Sequence, residues 1–382
     1  MSDRAEGVLD AVGTGRLPAG GKRRAEPRDR LGGGRAALAG LALHLGALLL
    51  AGCAAPAQID RADRQRLAGR TYVIVGASSG FGRGAALALG RAHANVVLAA
   101  RRADLLDEVA AEIGRSGGQA LAVPSDVSAP GQVEALAQAA EHRFGRIDVW
   151  MNIAGVGAVG RFWDVPVADQ ARIIDVNLKG ILYGSHAALA RFVAQRHGTL
   201  VNMGSVESEI PLAYHSTYAA TKAGVLSLGH SLNQELRQAG LAGTVKVATV
   251  MPWAVDTPFF QHEANYGGHA DRMILLDGPD QVVRGLVWVS LHPREDYPVG
   301  LKAQGAELAH HVLPGLTEHL AANIHRGAIA KGTPTPPTSG SVQAPMATGR
   351  GVEGSTRARM KVEDAARRAG AAPSSTDPGP PV

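Results

Sequence analysis

A single cysteine, Cys53, stands in 382 residues, which excludes an intrachain disulfide framework and any cysteine-rich metal site. Aromatic residues make up only 4% of the chain and interleave with no long basic face, so a formal net charge of +5 gives no reason to expect nucleic acid as a partner. The fourteen histidines include the neighbours His310 and His311, but none has the His-Glu-x-x-His spacing that sets two ligands on one helical face, and no metal is expected. No apolar run reaches the roughly 20 residues that a membrane-spanning helix needs. The nearest approach is Ala36 to Ala51, sixteen residues that are apolar apart from His44.

What is present falls into three regions. Residues 1–69 form an N-terminal extension, whose first 35 residues are rich in Gly, Arg and charge, with "GKRRAEPRDR" as the most basic part, and read as disordered. The apolar run at 36–51 has the length of a signal-peptide core. It leads into Leu50, Ala51, Gly52 and Cys53, an order that resembles the bacterial lipoprotein cleavage box, where the cysteine is lipidated. That resemblance implies membrane association through residues 36–53; a buried or membrane-associated helix in an uncleaved extension, or a start codon set too far upstream, are the alternatives, with a cytoplasmic location as the other outcome. Residues 58–70 read as a polar lead-in. The tail, 327–382, contains "TPTPPTSGS" and "AAPSSTDPGPPV", lacks the apolar content that offsets ordering entropy, and reads as disordered.

Between them, residues 70–326 alternate strand-like and helix-like segments. "TYVIVGA", "NVVLAAR", "ALAVPSDV", "IDVWMNIAG", "GTLVNMGS" and "VKVATVMPW" are β-rich runs, and Ala/Leu-rich amphipathic stretches separate them, the longest being one helix over 168–196. This alternation predicts an α/β fold, a single doubly wound parallel sheet of the Rossmann type with helices on both faces. Such sheets bind ligands at the carboxyl ends of their strands.

The turn after the first strand reads "VIVGASSGFGRG". Gly76, Gly80 and Gly82 leave the backbone unblocked, so that amides at a helix N-terminus can face a pyrophosphate. About twenty residues on, where an NAD enzyme offers Asp or Glu to the adenine ribose, the second strand ends in Ala100, Arg101 and Arg102. Forked guanidinium groups suit a phosphate, so the 2′-phosphate of NADP is favoured over the bare ribose of NAD.

Tyr218 and Lys222 lie four residues apart, one turn on the same helical face. A lysine ammonium about 4 Å from a phenol contributes on the order of 4 kcal/mol at an effective dielectric near 20, which predicts a lowered tyrosine pKa and a general acid-base role. Together with the glycine turn, "NIAG" from Asn152 and "NMGS" ending at Ser205, thirteen residues before Tyr218, this ordered set resembles the short-chain dehydrogenase/reductase family over about residues 70 to 325.

The resemblance implies an oxidoreductase that interconverts an alcohol and a ketone or aldehyde by hydride transfer, working as a homodimer or homotetramer. It implies that Tyr218 exchanges the substrate proton, Ser205 hydrogen-bonds the substrate oxygen, Lys222 also holds the nicotinamide ribose and Asn177 keeps a water in a proton relay. Gly76, Ser78, Ser79, Gly80, Phe81 and Gly82 are assigned to the cofactor's phosphates, Arg101 and Arg102 to its 2′-phosphate, Asp126 and Val127 to the adenine pocket, Asn152, Ala154 and Gly155 to the backbone lining the cofactor, and Pro252, Val255 and Thr257 to the nicotinamide end. Three positions depart from the family pattern: Val75 stands where Thr is common, Ile153 replaces an asparagine, and Trp253 replaces a glycine, where it either narrows the substrate entrance or stacks on the ring. Phe259, Phe260, His262 and Tyr266 fall in the expected substrate lid, as ligand contacts or as packing, and Leu316, Leu320 and Ile324 form an apolar stripe assigned to core packing or a subunit contact. The rival readings are a dinucleotide-binding sensor or scaffold without turnover, and a lipid-anchored envelope protein on the same fold.

Overall fold

Seven strands run parallel in the order β3-β2-β1-β4-β6-β7-β9 in the computed structural model, which describes residues 57–370. The strands are β1 Thr71–Val75, β2 Asn95–Ala100, β3 Gln119–Pro124, β4 Val149–Asn152, β6 Gly198–Met203, β7 Val245–Pro252 and β9 Asp296–Val299; β5 Ala158–Val159 and β8 Ala264–Asn265 make a separate short parallel pair. Alternation along β1 shows why both faces are covered. Tyr72 and Ile74 enter one hydrophobic core and Val73 and Val75 the other, so each strand must be apolar on both sides.

The connecting helices are α1 Arg61–Leu67, α2 Gly80–Arg91, α3 Ala103–Arg115, α4 Pro130–Phe144, α5 Val167–Ile174, α6 Gly180–Gln195, α7 Ser216–Gln238, α8 Phe259–His262, α9 Asp280–Leu291, α10 Gly300–Val312, α11 Pro314–Ile329 and α12 Thr356–Arg368. The sheet order reverses between β1 and β4, and the crevice at the carboxyl ends of these strands is the ligand-binding place of an open α/β sheet.

The doubly wound parallel sheet agrees with the expectation, and three details differ. The seventh strand, β9, reads "DYPV"; it is a short edge strand that carries a proline, which an edge tolerates because one side needs no ladder bond. The long helix expected over 168–196 is split by a π turn at Asp175–Lys179. The tail is not disordered through residue 370: it crosses the carboxyl ends of the strands and ends in α12, while 371–382 lie outside the described residues. Its order rests on polar anchoring rather than on apolar mass. Asp256 accepts from the amides of Thr356 and Arg357, both at 3.0 Å, Arg272 forms a buried ion pair with Glu363, and Val342 is inserted in the core.

The apolar run 36–51 and Cys53 also lie outside the described residues. Among the described residues no helix is long and apolar enough to cross a membrane.

Candidate active site

The turn after β1 shows a backbone requirement for glycine. Gly76 has φ +99°, and a β-carbon there would lie 2.6 Å from the Ala154 nitrogen and 2.8 Å from its Cα. A β-carbon on Gly82 would sit 2.1 Å from the Gly76 carbonyl oxygen, so α2 can close onto the turn only without one. The result is a loop of small residues at a helix N-terminus, with Ser78, Ser79, Gly80 and Phe81 facing one cavity of about 490 Å³. Gly82 packs behind that wall and does not line it.

The candidate acid-base residues arrive from three elements. Tyr218 and Lys222 stand one turn apart near the start of α7; Ser205 follows the end of β6; Asn177 sits in the π turn between α5 and α6. Such turns redirect side chains at functional positions. Asn177 is locked on Val156, accepting from its amide at 2.9 Å and donating to its carbonyl at 2.8 Å. Lys222 Nζ donates to the Met203 carbonyl at 2.7 Å and lies 5.5 Å from the centre of the Tyr218 ring. A β-carbon on Gly155 would be 3.5 Å from Asn177 Oδ1 and 3.9 Å from Lys222 Nζ, so both groups reach the same stretch of backbone. Tyr218, Ser205, Lys222 and Gly155 line the cavity; Asn177 supports it from behind.

The electrostatics run against the expectation for the phenol. Burial raises the Tyr218 pKa, the carboxylates of Glu207 and Glu263 raise it further, and the Ser205 hydroxyl offsets only part of this. The phenol is therefore held protonated. Lys222 is the strongly perturbed cation: burial pulls it down to about 8 although Glu207 works in the opposite direction. The sequence shows the ammonium four residues away, but not the desolvation that overrides it.

At the end of β2, Arg101 and Arg102 face the cavity and are covered by residues 341–351 of the tail. Arg101 donates to the carbonyls of Ser341 (2.8 Å) and Gln343 (3.4 Å). Arg102 donates to the carbonyls of Met346, Thr348 and Gly349 and to the hydroxyls of Ser78 and Ser79. The Gly80 amide donates to the Gly351 carbonyl at 2.9 Å. The tail is thus a strap over the glycine-rich turn, with Pro345 and Met346 forming part of the cavity wall. Asp126 also lines the cavity, with its carboxylate held by Ser128 and by Arg172 at 2.5 Å; these contacts keep its pKa low against the opposing effect of burial.

Val127, Ala154, Pro252, Val255 and Thr257 line the cavity. Asn152 does not. Its buried side chain accepts from the Trp150 indole at 2.7 Å and donates to Asn202 at 2.9 Å, tying β4 to β6 from within. Trp253 lines the entrance and its indole donates to the Ile274 carbonyl at 3.4 Å, which joins the strand end to the lid. Phe259, Phe260 and His262 face the cavity, and the Phe259 ring lies 5.6 Å from that of Tyr218. Tyr266 faces away and donates to Asp169 at 2.5 Å. Leu316, Leu320 and Ile324 are about half exposed rather than packed in the core, and the last two form the cavity mouth.

Sequence reasoning missed a group of buried ionisable residues beside Tyr218: Glu207, His215, Glu263, Asp271 and His325. The His215 and Tyr218 rings are 6.2 Å apart. Burial lowers the His215 pKa, but Glu207 and Glu263 outweigh it and push the imidazole up to about 10. No fixed spacing announces this group, because its members are scattered over more than a hundred positions.

Residues 70–266 match the family model described as short chain dehydrogenase. The uncharacterized oxidoreductase YxnA of Bacillus subtilis is 31% identical over 274 residues, covering 70% of this chain and 76% of the relative. The 3beta-hydroxysteroid dehydrogenase 1 of Eggerthella lenta is 34% identical over 237 residues, covering 59% of this chain and 87% of the relative. Among solved structures, an alcohol dehydrogenase from the archaeon Thermococcus sibiricus complexed with 5-hydroxy-NADP superposes with a TM-score of 0.51 at 27% identity, covering 60% of this chain and 94% of that one. A metagenomic short-chain oxidoreductase in complex with NADP gives 0.51 at 29% identity, covering 61% and 96%. The matched family model, the relatives and the parallel sheet with its glycine turn agree: this chain belongs to the short-chain dehydrogenase/reductase family of Rossmann-fold oxidoreductases.

Proposed function

We propose that the protein is an NADP(H)-preferring oxidoreductase that interconverts an alcohol with a ketone or aldehyde, with Tyr218, Ser205, Lys222 and Asn177 as its proton-handling residues. The observation that carries this reading is that one cavity joins the glycine loop at the N-terminus of α2 to Tyr218, Ser205 and Lys222. The fit to a dinucleotide is physical: Gly76 has no room for a side chain, and the loop's helix end favours anionic phosphates.

Bound there, the nicotinamide supplies the hydride. Ser205 orients the substrate oxygen. Tyr218, held protonated, donates to that oxygen in the reducing direction, and Lys222 replenishes its proton, with Asn177 fixing the backbone beside it at Val156. Preference for NADP rests on Arg101 and Arg102, which would exchange the strap carbonyls they now hold for a 2′-phosphate, and on Ala100, which offers no carboxylate to a free ribose. The NADP-bound neighbours and the steroid-alcohol relative support the same chemistry.

The test is oxidation of NADPH and of NADH with a panel of aldehydes and ketones, followed at the reduced-nicotinamide absorbance band. Turnover is expected with NADPH preferred, and Arg102→Ala should raise the KM for NADPH by about 10- to 100-fold through the loss of one or two charge-assisted hydrogen bonds, while leaving NADH nearly unaffected. Cofactor binding without oxidation by any carbonyl would favour a sensor, and equal loss with both cofactors would remove the 2′-phosphate assignment.

A further inference from the structure

Beside the acid-base residues, and apart from any step assigned to them, lies a second constellation. His215 precedes α7, Glu263 and Asp271 lie in the lid, and His325 projects from α11; each is at most 5% exposed. One ligand atom from each of His215, Asp271 and His325 falls within 4.8 Å of the others. His325 Nε2 is 3.5 Å from Asp271 Oδ1, and His215 Nε2 is 3.7 Å from Glu263 Oε1. Ligands bonded at 2.0–2.2 Å in a tetrahedron stand roughly 3.3–3.6 Å apart. The pairs are too far apart for good hydrogen bonds and spaced as ligands around a common ion would be.

The other face of each ring is already committed. His325 Nδ1 donates to the Ala213 carbonyl at 3.0 Å, which leaves Nε2 with its lone pair turned inward. His215 Nδ1 contacts Glu207 Oε1 at 3.2 Å, the carboxylate–histidine arrangement that orients metal-bound imidazoles. The inward atoms, His215 Nε2, His325 Nε2 and both carboxylate oxygens of Glu263 and of Asp271, have no hydrogen-bond partner. Buried polar atoms are rarely left so. Tyr214, between the Ala213 carbonyl and His215, is held at φ +73°, a conformation a tyrosine seldom adopts, and it turns the chain so that both contacts form.

We propose that His215, Asp271 and His325, with Glu263 completing the set, bind one divalent transition-metal ion of the zinc class that clamps the lid and α11 to the start of the catalytic helix. Two imidazoles and two carboxylates are the borderline N/O donor set such ions take. The three surrounding carboxylates, Glu207, Glu263 and Asp271, supply the negative charge that a dication balances and that protons on the rings balance in its place. Because His215 and His325 both line the cavity, the ion fixes that part of its wall. A second, more exposed group, Glu209, Glu307 and His311, has a single imidazole and serves as the internal control.

The experiment uses the full chain, stripped with a chelator, loaded with Zn²⁺ and passed through a desalting column. One retained ion per chain is expected, with a rise in Tm on the order of 5 °C at a hundredfold excess over the dissociation constant. His325→Gln and Asp271→Asn should lose both the ion and the shift, and His311→Gln should keep them. X-ray absorption of the zinc-loaded wild type, which needs no variant to fold, should show two imidazole ligands. No retained ion, an ion lost with His311→Gln, an ion kept by His325→Gln, or fewer than two imidazoles in the absorption spectrum would each overturn the proposal.

Discussion

Replacing Lys222 by methionine separates the residue's chemical role from its energetic cost. The Lys222 ammonium is buried, and its pKa falls from the ordinary 10.5 to about 8. That displacement corresponds to about 3 kcal/mol of destabilisation wherever the folded chain carries the charge. The sign follows from proton counts. Below pH 8 both folded and unfolded chains hold the proton and the cost is constant; between pH 8 and 10.5 only the unfolded chain holds it, so stability rises with pH; above 10.5 the cost has vanished. Lys222→Met removes the charge at every pH but orphans the Met203 carbonyl, now bonded at 2.7 Å, at a cost of about 1–3 kcal/mol. The variant should therefore be equal to or up to about 2 kcal/mol more stable than wild type near pH 7, and less stable at pH 10. The swing between the two, about 2–3 kcal/mol, is independent of the orphaned carbonyl. Urea unfolding followed by circular dichroism at both pH values measures it, and a difference that stays constant with pH would refute the depressed ammonium. Reduction by wild type should also fall as pH rises through about 8, because the proton donor behind Tyr218 is then discharged.

Two other substitutions test the scaffold. Gly76→Ala drives a β-carbon to 2.6 Å from the Ala154 nitrogen at a φ of +99°, and should cost about 3 kcal/mol or more and abolish NADPH binding, read by thermal unfolding and fluorescence titration; a neutral result would contradict the packed turn. Glu363→Gln removes the buried one of the two carboxylates that hold Arg272 and leaves it only the more exposed Asp364 at 2.7 Å, with an expected loss of about 1–3 kcal/mol in strap and lid anchoring. Limited proteolysis should then release α12 faster than from wild type, and unchanged digestion would deny the strap its anchor.

The sheet was legible because parallel strands buried on both faces must be apolar throughout, and six such runs separated by amphipathic stretches admit few arrangements. The seventh, "DYPV", is too short and too exposed to carry that pattern. The cluster of Tyr218, Lys222 and Ser205 in one cavity was legible through the one-turn spacing of the first two and their order after Ser205. The sign of the phenol's perturbation was not, because desolvation belongs to the folded surroundings, and the two acidic neighbours that reinforce it, Glu207 and Glu263, come from segments far apart in the chain. The strap escaped for a related reason. Its Pro, Gly and Ser content gives no core, yet its backbone carbonyls satisfy Arg101 and Arg102, and its order comes from partners that composition does not reveal. Asn152 shows what a motif leaves out: its place in the sequence says nothing of the side chain, which joins two strands.

The central claim, that one buried phenol delivers the substrate's proton beside a bound hydride donor, is tested most directly by single-turnover hydride transfer in Tyr218→Phe with NADPH and a carbonyl that wild type reduces. The account predicts a rate lower by about 10²- to 10⁴-fold with the dissociation constant for NADPH unchanged. Transfer at the wild-type rate would contradict it.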